Sequence, residues 1–106
     1  MEVFQYITPE NKNPFREWFR ALRDPRAKAA IFRRIDRIAD NNFGDHKFCR
    51  DGVWELKIDV GPGYRVYYAR AGETTIVLLC AGSKRTQQKD IVRAVTYWKD
   101  YQERST

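Results

Sequence analysis

Residues 53–82 read VWELKIDVGPGYRVYYARAGETTIVLLCAG, and the pattern inside this stretch decides the fold. Three runs rich in β-branched and aromatic residues, 53–58, 64–70 and 74–82, are separated by Gly61-Pro62-Gly63 and Ala71-Gly72-Glu73. Both separators carry turn chemistry, because glycine reaches backbone angles closed to other residues and proline presets φ. Short runs joined by such tight connections predict an antiparallel meander.

Helical signals lie outside this block. Asn13-Pro14 pairs a capping side chain with proline at the first helical position, and Phe15, Trp18, Phe19 and Leu22 follow at helical spacing. Asp24-Pro25 repeats the start signal, and Ile31, Ile35 and Ile38 stripe a second helix to about residue 40. Asn41, Asn42, Gly44 and Asp45 then break the pattern, and His46, Cys49 and Arg50 are read as part of a loop that ends at Gly52. Residues 3–7 form a short aromatic strand. After Thr86, a candidate cap, Ile91, Ala94, Val95 and Trp98 mark a last helix. The predicted order is β-α-α-β-β-β-α: an α+β domain whose antiparallel sheet carries helices packed on one face and leaves the other for function.

A chain of 106 residues supports one core, so residues 1–106 are read as a single domain. Its 42% hydrophobic content excludes a disordered chain. Cys49 and Cys80 stand too far apart in sequence for a CxxC pair or a four-ligand zinc spacing, and no HExxH or calcium loop is present. No metal or cofactor is therefore expected. The N-terminal MEVFQYITPENK has no basic n-region or apolar h-region, and no run approaches the ~20 apolar residues of a membrane span. The expectation is a cytoplasmic protein, away from membranes, with both thiols reduced.

Twenty Lys and Arg against fourteen Asp and Glu leave a net charge of +6, which favours a polyanionic partner through counterion release from phosphates. The only histidine, His46, has polar neighbours and no Ser or Cys nucleophile nearby, and is read as a surface residue. Gly61-Pro62-Gly63 meets neither phosphate-loop pattern and is read as a turn. What remains is cationic side chains on strands. Alternation places Arg65 and Tyr67 on one face near the sheet's centre; Lys57 shares a face with Glu55, and Lys84 and Arg85 follow the third run. If the meander closes, Lys57, Arg65, Lys84 and Arg85 converge on one groove. Guanidinium forks there stabilise a pentacoordinate phosphate without metal, and a desolvated lysine serves as general base toward a ribose 2′-hydroxyl. Each residue also has an ordinary reading: Lys57 a solvent-face lysine, Arg65 a salt-bridge partner, Lys84 and Arg85 loop charges. A second basic set, Arg26, Lys28, Arg33, Arg34 and Arg37, lies opposite the isoleucine stripe, either as a solvated face or as a contact to ribosomal RNA or an acidic stretch of a partner. Arg33, Arg34, Arg37 and Tyr67 are the candidate RNA- or ribosome-binding residues.

From Trp54 to Tyr101 the chain resembles the RelE/ParE toxin superfamily in its phage-derived, HigB-like branch. The blocks that carry the resemblance are GPGYRVYY, a hydrophobic strand ending in GSK, and KDIVRAVTYW, in that order, preceded by a helix ending in DNNFGDHK. The resemblance implies a RelE-like toxin of a type II toxin–antitoxin system, a ribosome-dependent mRNA endoribonuclease that works without metal or cofactor. It also implies a cognate helix-turn-helix antitoxin (HigA-like) that forms an oligomer with the toxin. Arg65 matches the strand arginine of the family's YRV block, Lys84 and Arg85 the basic pair after the last strand, and Lys57 the lysine on the preceding strand. Two alternatives stay open: a ParE-like gyrase poison that cuts no RNA, and a non-catalytic nucleic-acid-binding module.

Overall fold

The computed structural model describes residues 1–105. Its elements are β1 (Glu2–Gln5), α1 (Pro14–Ala21), α2 (Pro25–Ile38), β2 (His46–Arg50), β3 (Val53–Ile58), β4 (Tyr64–Arg70), β5 (Thr75–Ser83), a 3₁₀ turn (Lys84–Thr86) and α3 (Gln87–Arg104). The helix starts follow from their caps. The Asn13 side chain accepts the Arg16 N–H at 3.0 Å, the Asp24 carboxylate accepts the Arg26 N–H at 2.9 Å, and proline opens both helices. Thr86 stands at the N-cap of α3 but does not cap it: its hydroxyl donates to Asp90 Oδ2 at 2.6 Å.

The class is α+β, and three particulars differ from the expectation. The five strands run in the order β1-β5-β4-β3-β2, and β1 pairs parallel with β5, so the sheet is mixed. Residues 46–50, read as loop, form the edge strand β2 against β3. They escape a hydrophobic-pattern reading because four of the five are exposed. The hairpin is closed by Asp51-Gly52, both at positive φ, the pairing that a two-residue turn between twisted strands demands.

Helices also cover both faces of the sheet. Leu56, Ile58, Val66, Tyr68, Ile76 and Leu78 meet Phe15, Ala27, Ile31 and Ile38 of α1 and α2 on one side. Val53, Tyr67, Ala69, Val77, Leu79 and Cys80 meet Ala94, Val95 and Trp98 of α3 on the other. The face expected to stay open is therefore largely closed, and six of the seven residues of β4 are buried. A strand buried on both faces reads as a near-continuous apolar run, which is the character of 64–70 and 74–82. The register slips between Tyr67 and Tyr68, where Leu79 is the extra residue that keeps Leu78 and Cys80 on opposite faces. No helix among the described residues is long and apolar enough to cross a membrane.

Two contacts seat α3. A Cβ at Gly82 would lie 1.9 Å from Asp90 Oδ2 and 2.9 Å from Thr86 Oγ1, so the helix's first turn rests on bare backbone. At its far end Asp100 accepts the Tyr6 hydroxyl at 2.6 Å, while the Tyr6 ring stacks on Tyr97 at 4.9 Å. Burial, reinforced by Asp100, pushes the Tyr6 hydroxyl up from its ordinary value to about 12.

Gly82→Ala is expected to lower the unfolding free energy by about 2 kcal/mol or more, since a backbone and a carboxylate must move to admit one methyl; urea denaturation measures it. A second expectation concerns alkali. A tyrosine that holds its proton more tightly folded than unfolded adds stability that is complete below the unfolded value near 10 and lost as pH rises through about 12. Tyr6→Phe is therefore expected to flatten the fall in urea midpoint between pH 10 and 12, by on the order of 1–3 kcal/mol.

Candidate active site: a cationic cleft at the end of the sheet

The sheet register assembles the central cluster. Lys57 and Arg65 are directly paired across β3 and β4, and Arg65 is paired with Gly82 across β4 and β5. Beyond the Tyr64–Ser83 pair the Lys84 N–H donates to the Gly63 carbonyl at 3.0 Å. Gly63, at φ +87°, leaves its side-chain space empty between Lys84 Cβ (3.7 Å) and Arg65 Nη1 (3.8 Å). Lys57, Arg65 and Lys84 thus line one cleft of about 270 Å³, together with Asp45, Asp59 and the Gly61-Pro62-Gly63 turn. Gly61 and Gly63 both stand at positive φ, which the turn requires and glycine alone adopts freely.

Arg65 is the fixed member. It is 8% exposed, and its Nε lies 2.8 Å from Oε2 of Glu55, itself 1% exposed. The Nε–H does not point along that contact, so the pair is an ion pair rather than an aligned hydrogen bond. Nη1 donates to the Tyr64 carbonyl at 3.2 Å, and Nη2 makes no hydrogen bond among the described residues. Glu55 also accepts from Gln87 Nε2, at 2.9 Å and 3.3 Å to its two oxygens, and from the Cys49 thiol at 3.5 Å. Burial first, and then the Glu55 charge, push the Cys49 thiol up to about 12, which keeps it protonated as a donor. Lys57 is half-buried and Lys84 exposed, and both carry their charge on flexible stems.

The remaining expected residues divide. Arg85 sits exposed on the 3₁₀ turn, outside the cleft lining. Arg33 and Arg37 are exposed on α2. Arg34 turns inward: it donates to the carbonyls of Lys57, Phe43 (3.1 Å) and Asp45 (2.9 Å), tying α2 to the segment that enters β2. Its guanidinium is occupied by the backbone of its own chain, and the expected RNA contact is replaced by a structural one. Tyr67 is likewise corrected, because it is fully buried beneath α3. Its hydroxyl has no partner among the described residues, and burial together with the Glu55 and Asp90 charges holds it well above the usual phenol range. The error has one cause: Tyr67 shares Arg65's face, and α3 covers that face as far as Tyr67 but stops short of Arg65. His46 is exposed, as expected. It stacks at 5.2 Å on both Phe43 and Trp54, with Nδ1 at 2.7 Å from the Tyr68 hydroxyl.

A larger groove, about 820 Å³, opens on the other side of Pro62 along the part of β5 that β1 does not reach, walled by Trp18, Tyr64 and Tyr97. Among the described residues no group of three or more His, Cys, Asp or Glu is placed to hold a metal ion.

Fold and site together define a small α+β protein whose mixed sheet carries a cationic cleft at one end. A sequence family described as "Phage derived protein Gp49-like" matches residues 17–99, a span that includes every residue of that cleft. The chain belongs to this phage-derived, Gp49-like family. It is also 49% identical over 80 residues, 76% of its own length and 81% of the relative's, to a protein of Haemophilus influenzae (strain ATCC 51907 / DSM 11121 / KW20 / Rd) described as an uncharacterized protein.

Arg34→Ala is expected to cost roughly 1–3 kcal/mol of stability, because partly buried carbonyls lose their donor. Arg33→Ala, one position away and exposed, is expected to stay within about 0.5 kcal/mol of the parent. Paired urea titrations of the two variants make the comparison.

Proposed function

We propose that this chain is the toxin of a type II toxin–antitoxin pair of the RelE type, in its HigB-like branch: a metal-independent endoribonuclease that cuts messenger RNA on the ribosome. The observation that carries the reading is the convergence of Lys57, Arg65 and Lys84 on one 270 Å³ cleft. Membership of a phage-derived family and the resemblance of 54–101 to RelE-like toxins support it.

In the proposed reaction the ribose 2′-hydroxyl attacks the adjacent phosphorus and the 5′-oxygen leaves, producing a 2′,3′-cyclic phosphate and a 5′-hydroxyl. Lys57 is the proposed acceptor of the 2′ proton, and Lys84 gives a proton to the departing oxygen. The Arg65 Nη groups bind the non-bridging oxygens and offset the charge that grows on the pentacoordinate phosphorus. Arg85 at the rim and Arg33 and Arg37 on α2 meet neighbouring phosphates of the message or ribosomal RNA. The groove beyond Pro62 gives the adjoining nucleotides room beside Trp18 and Tyr97. A helix-turn-helix antitoxin silences the protein in the cytoplasm by forming a complex with it, and no cofactor takes part.

Tightly controlled induction, with and without the neighbouring gene, tests the proposal when RNA ends are mapped. The expected result is growth arrest with cuts phased to the reading frame, relieved by the neighbouring gene product. Arg65→Ala is expected to lower cleavage by about 10²- to 10³-fold. Arrest with intact messages and broken chromosomes would replace this reading with gyrase poisoning, and salt-sensitive RNA binding without arrest would replace it with a plain binding module.

A further inference from the structure

Glu55 and Gln87 lie outside the proposed chemistry, yet Glu55 meets the buried cation of the cleft and Gln87 meets Glu55. Glu55 is mounted on β3 two residues from Lys57, on the same face of the strand, and is as buried as any core aliphatic. An ion pair in such a place is an expensive way to hold two strands together, since desolvating both charges offsets most of their attraction and an apolar pair would serve as well. The geometry gives it a different use. The carboxylate meets Arg65 at Nε, the stem side of the guanidinium, and so leaves the outer nitrogens to other partners: Nη1, which donates one hydrogen to the Tyr64 carbonyl, lies beside Gly63 in the cleft, and Nη2 carries no hydrogen bond among the described residues. A planar group held at its stem swings far less than one on a free side chain, and its outer nitrogens keep the orientation that bidentate phosphate binding needs.

Glu55 is itself held by Gln87, the first residue of α3. The amide spans both carboxylate oxygens at 2.9 Å and 3.3 Å, which fixes the rotation of the carboxylate plane. We infer that Glu55 is the positioning residue of Arg65, and that Gln87 sets the carboxylate so that the guanidinium fork faces a phosphodiester in the cleft. The inference rests on the reading of Arg65 as the phosphate-binding group.

Single-turnover cleavage of a ribosome-bound message, measured with the full chain beside ribosome affinity, tests it with five variants: Arg65→Ala, Glu55→Gln, Glu55→Asp, Gln87→Ala and the double variant Arg65→Ala/Glu55→Gln. Glu55→Gln is expected to slow cleavage about 100-fold per folded molecule with ribosome affinity unchanged within about twofold, as a misplaced group does. Gln87→Ala is expected to slow it about tenfold, and Glu55→Asp to recover part of the Glu55→Gln loss. The double variant is expected to be no slower than Arg65→Ala alone, because a group that acts through Arg65 has nothing left to position. A carboxylate that only stabilises the fold would lower the folded fraction instead, and its effect would add to that of Arg65→Ala. Parent-like rates for Glu55→Gln in a background where Arg65→Ala is inactive would overturn the inference alone. Cleavage that survives Arg65→Ala, or a parent chain that cuts no RNA, would overturn the underlying reading. Where Glu55→Gln does not fold, Gln87→Ala decides, and an unchanged rate for it overturns the inference.

Discussion

Asp90 Oδ2 occupies the space that any side chain at position 82 would need, and the rest of the molecule is arranged around that contact. With Gly82 bare, the first turn of α3 settles onto β5, and the helix then runs across the face that carries Val53, Tyr67 and Leu79. Arg65 is the strand partner of Gly82, so it falls at the margin of the helix's cover and not under it. One missing Cβ therefore sets where the second core ends and where the cleft begins.

The α3 side of the sheet differs in character from the α1–α2 side. The latter is mostly hydrocarbon and aromatic ring, from Phe15 to Leu78, with the Tyr68 hydroxyl meeting His46 at 2.7 Å. The former carries a polar seam of Glu55, Arg65, Asp90 and the Tyr67 hydroxyl, all at 8% exposure or less. Buried polar groups stabilise only when their partners are in place. Here they largely are: Glu55 has Arg65, Gln87 and Cys49, and Asp90 has Thr86 and, more distantly, Arg93 at 3.8 Å. The seam follows the boundary between core and cleft, so the groups that settle α3 also stand behind the cationic side chains.

Much of this was legible in the amino-acid order. The bounds 53–58 and 64–70 follow from turn chemistry and apolar runs and agree with β3 and β4 residue for residue. Strand register alone brought Lys57 beside Arg65. The α3 coverage was not legible, because an apolar stripe on a helix says that it packs and not on which face. Nor was the parallel pairing of β1 with β5, which joins segments about seventy residues apart. β2 had a readable marker in Asp51-Gly52, but its exposed side chains carry no hydrophobic alternation to accompany it. Glu55 stood next to the candidate lysine on one face, yet its partner Gln87 is 32 positions away. Arg34 misled because a helix surface of arginines looks solvated until one of them is seen to turn onto backbone carbonyls.

Charge count alone is a poor account of the cleft. Three cations line it, but so do Asp45 and Asp59, and the Arg65 charge is already met by Glu55. The local balance is close to neutral, and the pull on a distant polyanion must come from the whole chain's +6, including exposed Arg33 and Arg37 on α2. That pull fades over a Debye length of about 8 Å at physiological salt. Inside that range the outcome depends on direction and not on net charge. A guanidinium held at its stem presents two N–H groups at fixed angles, whereas Lys57 and Lys84 carry their charges on four-carbon stems that adjust to what arrives. The carboxylates near them then act against loose binding: an anion that merely neutralises lysine competes with Asp45 and Asp59, while one that also accepts both arms of the arginine gains bonds those carboxylates do not make. Selectivity at such a site arises from the rigid member, which is why the neighbours of Arg65 matter more to it than the number of positive charges around the rim.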